Sequence, residues 1–166
     1  SQATALNSHA DNRITTRSYD SLGRVNEERR LKVLASTIDA VTGNVAEATA
    51  NADAITRYEY DGLNNITKKT DATGAITSWV YDGIGRRTSQ IIPGFLDYQG
   101  ASVTPTTDYE YNGLNNVSRQ IVRGKDNATE ADDHITVYQY DNKNGWLTAE
   151  IDATGARTEY GYDGNR

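Results

Sequence analysis

A chain of 166 residues has room for one domain of ordinary size, yet it holds only 29 Leu, Ile, Val and Phe and carries a formal charge of −6, a balance under which many chains fail to build a core. The absence of Cys excludes disulfides and thiolate zinc sites, and His9 and His134 are too few and too far apart for an imidazole metal cluster. The acidic balance, with 17 Lys and Arg spread along the chain, argues against a nucleic-acid surface, and no run reaches the roughly 18 to 20 apolar residues of a membrane helix.

Order is signalled by the 11 Tyr and 2 Trp, which recur at intervals. The first turn lies in "SYDSLGRV" (Ser18 to Val25), where Tyr19 precedes Asp20 and Gly23 follows. The mixed-sign "EERRLK" after it suits a solvated face. "DAVTG" (Asp39 to Gly43) stands near the middle of the long gap that follows, so it predicts a hairpin running from Val25 to Tyr58. Within that hairpin "AEATANADA" (Ala46 to Ala54) lacks branched and aromatic residues and is expected to be a loop tip or a short helix. "YEYDGLNNI" places Tyr58, Tyr60, Asp61 and Asn64; "WVYDGIGRR" places Trp79, Tyr81, Asp82 and Gly85. The stretch Gly94 to Asp108 reads as a long connection. "YEYNGLNNV" then brings Tyr109, Tyr111, Asn112 and Asn115, and "GKDNATEADD" (Gly124 to Asp133) reads as another loop tip. "YQYDNKNGW" supplies Tyr138, Tyr140, Asp141 and Gly145, and "YGYDG" supplies Tyr160, Tyr162 and Asp163.

The six turn-opening residues are spaced by 41, 21, 30, 29 and 22 positions. A second signal, "DATGAIT" at Asp71 and "DATGART" at Asp152, falls about midway between them, 10 or 11 residues from its neighbours on either side. Turns that alternate at such intervals leave about eight residues of strand between them, which specifies an antiparallel meander. The aromatic pairs are i, i+2 neighbours, so each pair lies on one face of its strand, and the residue between them is mostly polar or small. Stacked on adjacent strands, the pairs are expected to form an aromatic ladder.

Only Gly or Asn occupies positions 23, 64, 85 and 115, each four residues after the last Tyr. These residues tolerate positive φ, so a type I turn closed by a left-handed residue and a bulge is expected, with a turn one residue longer at Asn144 and Gly145. The opening Asp would accept backbone N–H bonds inside the turn. Asn112 replaces the acid by its uncharged isostere in a near-identical motif, so the position needs a short acceptor and not a charge, and a general acid or base is excluded there. "DNKNG" at Asp141 fails as a calcium loop because Lys143 stands where Asp or Asn is required and no distal Glu follows at the needed spacing. Triplets for N-glycosylation occur at Asn65, Asn116 and Asn127. No nucleotide loop, nucleophile elbow or catalytic triad is present, so no catalytic residue, cofactor or metal is expected.

The pattern Tyr, any residue, Tyr-Asp, two residues, Gly-Arg and an aliphatic, followed by Thr, resembles the YD repeats of the RHS family. "YDSLGRV" and "YDGIGRR" match its Gly-Arg form, whereas "YDGLNNI" and "YNGLNNV" place Asn-Asn there. The resemblance runs from Arg17 to Arg166 with a gap over Asn26 to Thr56. It implies an all-β fold of antiparallel β-hairpin repeats in a curved or spiralling sheet, one array over residues 1–166, and a structural role in an extracellular or secreted bacterial shell of the kind that encloses a toxin domain. The implied partners are other YD repeats and such a toxin domain. Two further readings come from the residues: open edge strands at either end would let copies add into a filament or tube, and the Tyr and Trp face would suit surface glycans.

Overall fold

A computed structural model describes residues 14–38, 45–125 and 130–163, the side chains of residues 32–52 excepted. Its strands are β1 (Thr15–Tyr19), β2 (Val25–Ile38), β3 (Val45–Tyr60), β4 (Ile66–Thr70), β5 (Ile76–Tyr81), β6 (Arg87–Ile91), β7 (Phe95–Leu96), β8 (Ser102–Val103), β9 (Thr106–Tyr111), β10 (Val117–Val122), β11 (His134–Tyr140), β12 (Leu147–Ile151) and β13 (Arg157–Glu159). Among the described residues one short 3-10 turn, Glu130–Asp132, accompanies them. The fold is all-β and antiparallel, as the alternating turn spacing predicts.

The chain divides into two compact units, residues 1–59 with 69–75 and residues 60–68 with 76–166. In the first, β1 pairs with β2 and β2 with β3, Glu27 standing opposite Arg57. The turn between β2 and β3 predicted at Asp39 to Gly43 lies outside the described residues, as does Asn127. The charged stretch of β2 is laced by ion pairs, Arg29–Glu27 and Arg57–Glu27 at 3.1 Å and Arg17–Glu28 at 2.9 Å. Exposed pairs of this kind contribute at most about 1 kcal/mol each.

"AEATANADA" is neither a loop tip nor a helix but part of β3. Pairing with β2 outweighs the weak strand propensity of Ala and Asn, because a ladder partner supplies hydrogen bonds whatever the side chain. The mismatch leaves a trace in the register, which shifts between Arg30 and Val33 and again between Leu34 and Ser36.

In the second unit β5, β6, β9, β10, β11, β12 and β13 follow one another as hydrogen-bonded neighbours. The connection read over Gly94 to Asp108 is more structured than expected. It holds the ribbon β7–β8, with Phe95 opposite Val103, and its last residues already belong to β9. Among the described residues only Ile121 and Ala149 are buried hydrophobics, at 2% and 0% exposure, which is the thin core the composition implies. Ile121 stands opposite Ile135 on β11 and Asp108 on β9. It is flanked at i±2 by Arg119 and Arg123, whose guanidinium heads reach the carboxylates of Glu110 and Asp108. The strand face opposite the tyrosines is therefore not simply wet: it carries Ile121, the largest buried hydrophobic side chain among the described residues.

Candidate functional site

The motif turns share one geometry. At Asp82 the backbone N–H donates to the Arg86 carbonyl at 2.9 Å, and Gly85 N–H returns a bond to the Asp82 carbonyl at 3.0 Å. The Asp82 Oδ1 accepts from Ile84 N–H at 3.1 Å and Arg86 N–H at 2.9 Å. Gly85 has φ +85°, the left-handed region where a Cβ is unfavourable. The same bonds recur at Asp20, Asp61 and Asn112, where Gly23, Asn64 and Asn115 have φ of 79°, 67° and 65°. At Asp141 the turn is one residue longer: its N–H donates to the Trp146 carbonyl and its Oδ1 accepts from Lys143 and Asn144 N–H.

The two turn types expected from the sequence prove to be one. Asp71 and Asp152 make the same backbone bonds, with Thr73 and Thr154 hydroxyls adding a 2.6 Å bond to Oδ1. A further copy opens at Asp97, with Gln99 and Ala101 N–H on its Oδ1 and Gly100 at φ +79°. The sequence reading overlooked that copy, although Asp97-Tyr-Gln-Gly-Ala101 has the same Asp-x-x-Gly-Ala spelling as Asp71 to Ala75. Its tyrosine follows the Asp instead of preceding it, so it lacks the Tyr-Asp pair that marks motif turns such as the one at Asp82.

The hydrogen bonds explain the acidity of these carboxyls. Backbone donation from Arg86 above all holds Asp82 below the ordinary carboxylate range; Arg24 does so for Asp20 and Asn144 for Asp141. At Asp71 and Asp152 the leading cause is the threonine hydroxyl, and at Asp97 it is the Lys125 ammonium, 2.9 Å from Oδ2. A carboxylate held ionised by backbone donors serves as an acceptor in a joint, the part the neutral Asn112 plays in its own turn. A general acid would need the opposite shift.

Three of the tyrosines that precede a turn-opening residue are locks as well as a surface. Tyr81 donates its hydroxyl to the Ile66 carbonyl at 3.0 Å, Tyr111 to the Arg87 carbonyl at 2.7 Å and Tyr162 to the Leu147 carbonyl at 2.8 Å. In each of these three cases the acceptor is the first residue of the strand leaving the preceding motif turn, so the tyrosine pins its strand to the hairpin before it. The pairing slips by one residue at this point, Tyr81 facing Arg87 while Val80 faces Ser89. Thr88, left over by that slip, donates its hydroxyl to the Val80 carbonyl. The predicted bulge thus supplies its own hydrogen bond.

Stacking differs from the expected ladder of tyrosine on tyrosine. Arg86 lies 4.6 Å above the Tyr111 ring and Arg87 lies 4.8 Å above Tyr109, so guanidinium faces cover these rings. Ring meets ring at Trp146 and Tyr162, 5.0 Å apart. Tyr58, Tyr60, Tyr109, Tyr138 and Tyr140 are half-buried, whereas Tyr19, Tyr160 and Tyr162 are exposed. Burial raises the phenol pKa of Tyr111, Tyr138 and Tyr140. Trp79 is likewise half-buried, and Asp163 follows the last strand.

A polar network at the Gly124 to Asp133 connection had no sequence signal, because it joins residues 10 and 15 positions apart without a repeat. Arg123 donates Nε to Asp108 at 2.6 Å and Nη1 to Asp133 at 2.9 Å, and Asp133 also accepts the Gly124 N–H at 2.7 Å. The Asp133 side chain is fully buried. Asp133→Ala is expected to cost about 2–4 kcal/mol, because it strips a buried acceptor from a cation and an amide. Asp133→Asn keeps one acceptor and should cost less. Denaturant unfolding of the three chains checks the ranking.

Two of the three glycosylation triplets are engaged in these joints. Asn65 donates its amide to Asp61 Oδ2 at 2.9 Å and Asn116 donates its own to the Gly145 carbonyl at 3.4 Å, so the nitrogen a glycan would occupy is already in use.

Residues 41–76 match the family model described as RHS Repeat. No curated protein sequence matches the chain. Among solved structures the chain is similar to one titled "Crystal Structure of TcdB2-TccC3-Cdc42", with a TM-score of 0.59 and 16% identity over 88% of this chain. It also aligns with one titled "Structure of Photorhabdus luminescens Tc holotoxin pore, Mutation TccC3-D651A", at a TM-score of 0.32 and 16% identity over 78% of the chain. The chain spans 7% of the length of each of these structures' matched chains.

Proposed function

We propose that this chain is an RHS/YD-repeat segment, a structural, non-catalytic stretch of the wall of an extracellular or secreted β-shell with a toxin domain as the fitting cargo; the RHS Repeat match over residues 41–76 supports this reading. The observation that carries this reading is the turn at Asn112. An amide there takes the same two backbone donors, Leu114 and Asn116 N–H at 2.9 and 3.0 Å, that the carboxylates take elsewhere. The repeated acid is thus an acceptor in a joint, and the repeat as a whole is an element of construction. The tyrosines support the same reading, since the hydroxyls of Tyr81, Tyr111 and Tyr162 tie hairpin to hairpin. A glycan platform draws less support, because a phenol committed to a backbone carbonyl has one fewer group to offer a sugar.

Electron microscopy of the full parent protein, paired with limited proteolysis, tests the proposal. The expected result is a closed hollow particle with these residues in its wall and an enclosed domain that resists protease until the wall is opened. A solid or extended particle, or a cargo cut as fast as the wall, overturns it.

A further inference from the structure

Along the rim formed by the turns at Asp61, Asp82, Asn112 and Asp141, the residue after the left-handed position reaches the next motif turn. Asn65 places its amide atoms 3.6 and 3.9 Å from where a Cβ on Gly85 would stand. Arg86 donates Nη1 to Asn115 Oδ1 at 2.8 Å while its guanidinium covers Tyr111. Asn116 donates to the Gly145 carbonyl, with its amide 3.5 Å from the point a Gly145 Cβ would take. Trp146, in the same position after Gly145, packs on Tyr162.

Each reaching side chain starts from a defined place. Asp82 Oδ2 accepts Arg86 Nε at 2.6 Å and Asp61 Oδ2 accepts Asn65 Nδ2 at 2.9 Å. Asn112 carries an NH2 where those residues carry a second oxygen, so Asn116 has no such anchor and its amide is spent on the neighbouring turn instead.

The partner position is restricted by its backbone. A residue at positive φ is Gly or Asn at little cost, so the neighbour presents either a bare backbone or a carboxamide. The long guanidinium meets the carboxamide of Asn115, and the short amides meet Gly85 and Gly145. We propose that residues 65, 86 and 116 specify which hairpin packs beside them, Arg selecting a turn with Asn at its left-handed position and Asn selecting one with Gly. The departures from Gly-Arg in this chain are then a pairing code that sets the order of its repeats. This goes beyond the shell reading and does not depend on it, since the order holds whatever the sheet encloses.

Two double-mutant cycles on this chain test it by thermal unfolding. In the first, Asn115→Gly is measured with Arg86 present and in the Arg86→Asn background, where it creates the Asn and Gly match seen at 65 and 85. In the second, Asn65→Arg is measured alone and with Gly85→Asn. Each double variant is expected to melt higher than the sum of its two single shifts by about 2–4 °C. Amide exchange at residues 115 and 85 should slow in parallel. Additive shifts in either cycle overturn the proposal, because Gly and Asn would then answer to φ alone. If Asn65→Arg does not fold, the first cycle decides.

Discussion

Replacing Ile121 by Ala is expected to lower the unfolding free energy of this chain by about 2–4 kcal/mol, with Ile121→Val costing about 0.5–1.5 kcal/mol. The reason is scarcity. Ile121 and Ala149 are the two buried hydrophobics among the described residues, so little else can close over a deleted side chain. Ile121 is the large one, paired in register with Ile135 and Asp108 on its neighbouring strands. A cavity there also loosens the strand from which Arg123 reaches Asp108 and Asp133, so the loss should exceed what the same truncation costs at half-buried Ile135. Denaturant unfolding measures both. An Ile121→Ala variant no weaker than Ile135→Ala would show that burial on this face does not carry the stability.

The chain is also expected to be acid-labile through its turns. Asp20, Asp71, Asp82, Asp97, Asp141 and Asp152 all hold carboxyl pKa values below the ordinary range, because each carboxylate accepts hydrogen bonds that its protonated form takes less well. The folded chain therefore binds these protons more weakly than the unfolded chain does. The linked stability is complete above the unfolded carboxyl pKa of about 3.9, and it is lost as pH falls through that value toward the depressed folded ones. Melting temperature followed by circular dichroism should be level above about pH 5 and should drop steeply below about pH 4. Asp82→Asn, which copies the Asn112 turn, should make that drop shallower while leaving the bonds to Ile84 and Arg86 N–H in place. A melting curve unchanged down to about pH 2 would show that the turn carboxylates do not contribute through ionisation.

Much of the architecture was legible because it is local. A turn that needs an acceptor at its first residue and positive φ at its fourth announces itself within five residues, and the spacing of such turns defines strands and their antiparallel order. The exchange of Asp for Asn112 separates acceptor from acid within the sequence itself. Where local spelling and partner disagreed, the partner won: Ala46 to Ala54 pairs as a strand because β2 lies beside it. The turn at Asp97 shows a different limit, since its spelling was present but its tyrosine stood on the wrong side of the acid.

By itself the sequence determined the turns, the period and the faces on which tyrosines lie, because φ preferences, side-chain acceptors and the two-residue alternation of a strand act over a few bonds. The tertiary structure alone decided what those side chains touch. Tyr111 could have stacked on another ring, but Arg86 covers it, and its hydroxyl closes on the Arg87 carbonyl one hairpin back. Arg123 joins Asp108 to Asp133, and Asn116 crosses to Gly145, over distances in sequence that no motif spans. Such contacts depend on which strands become neighbours and at what register, a property of the assembled sheet to which each hairpin contributes only one side.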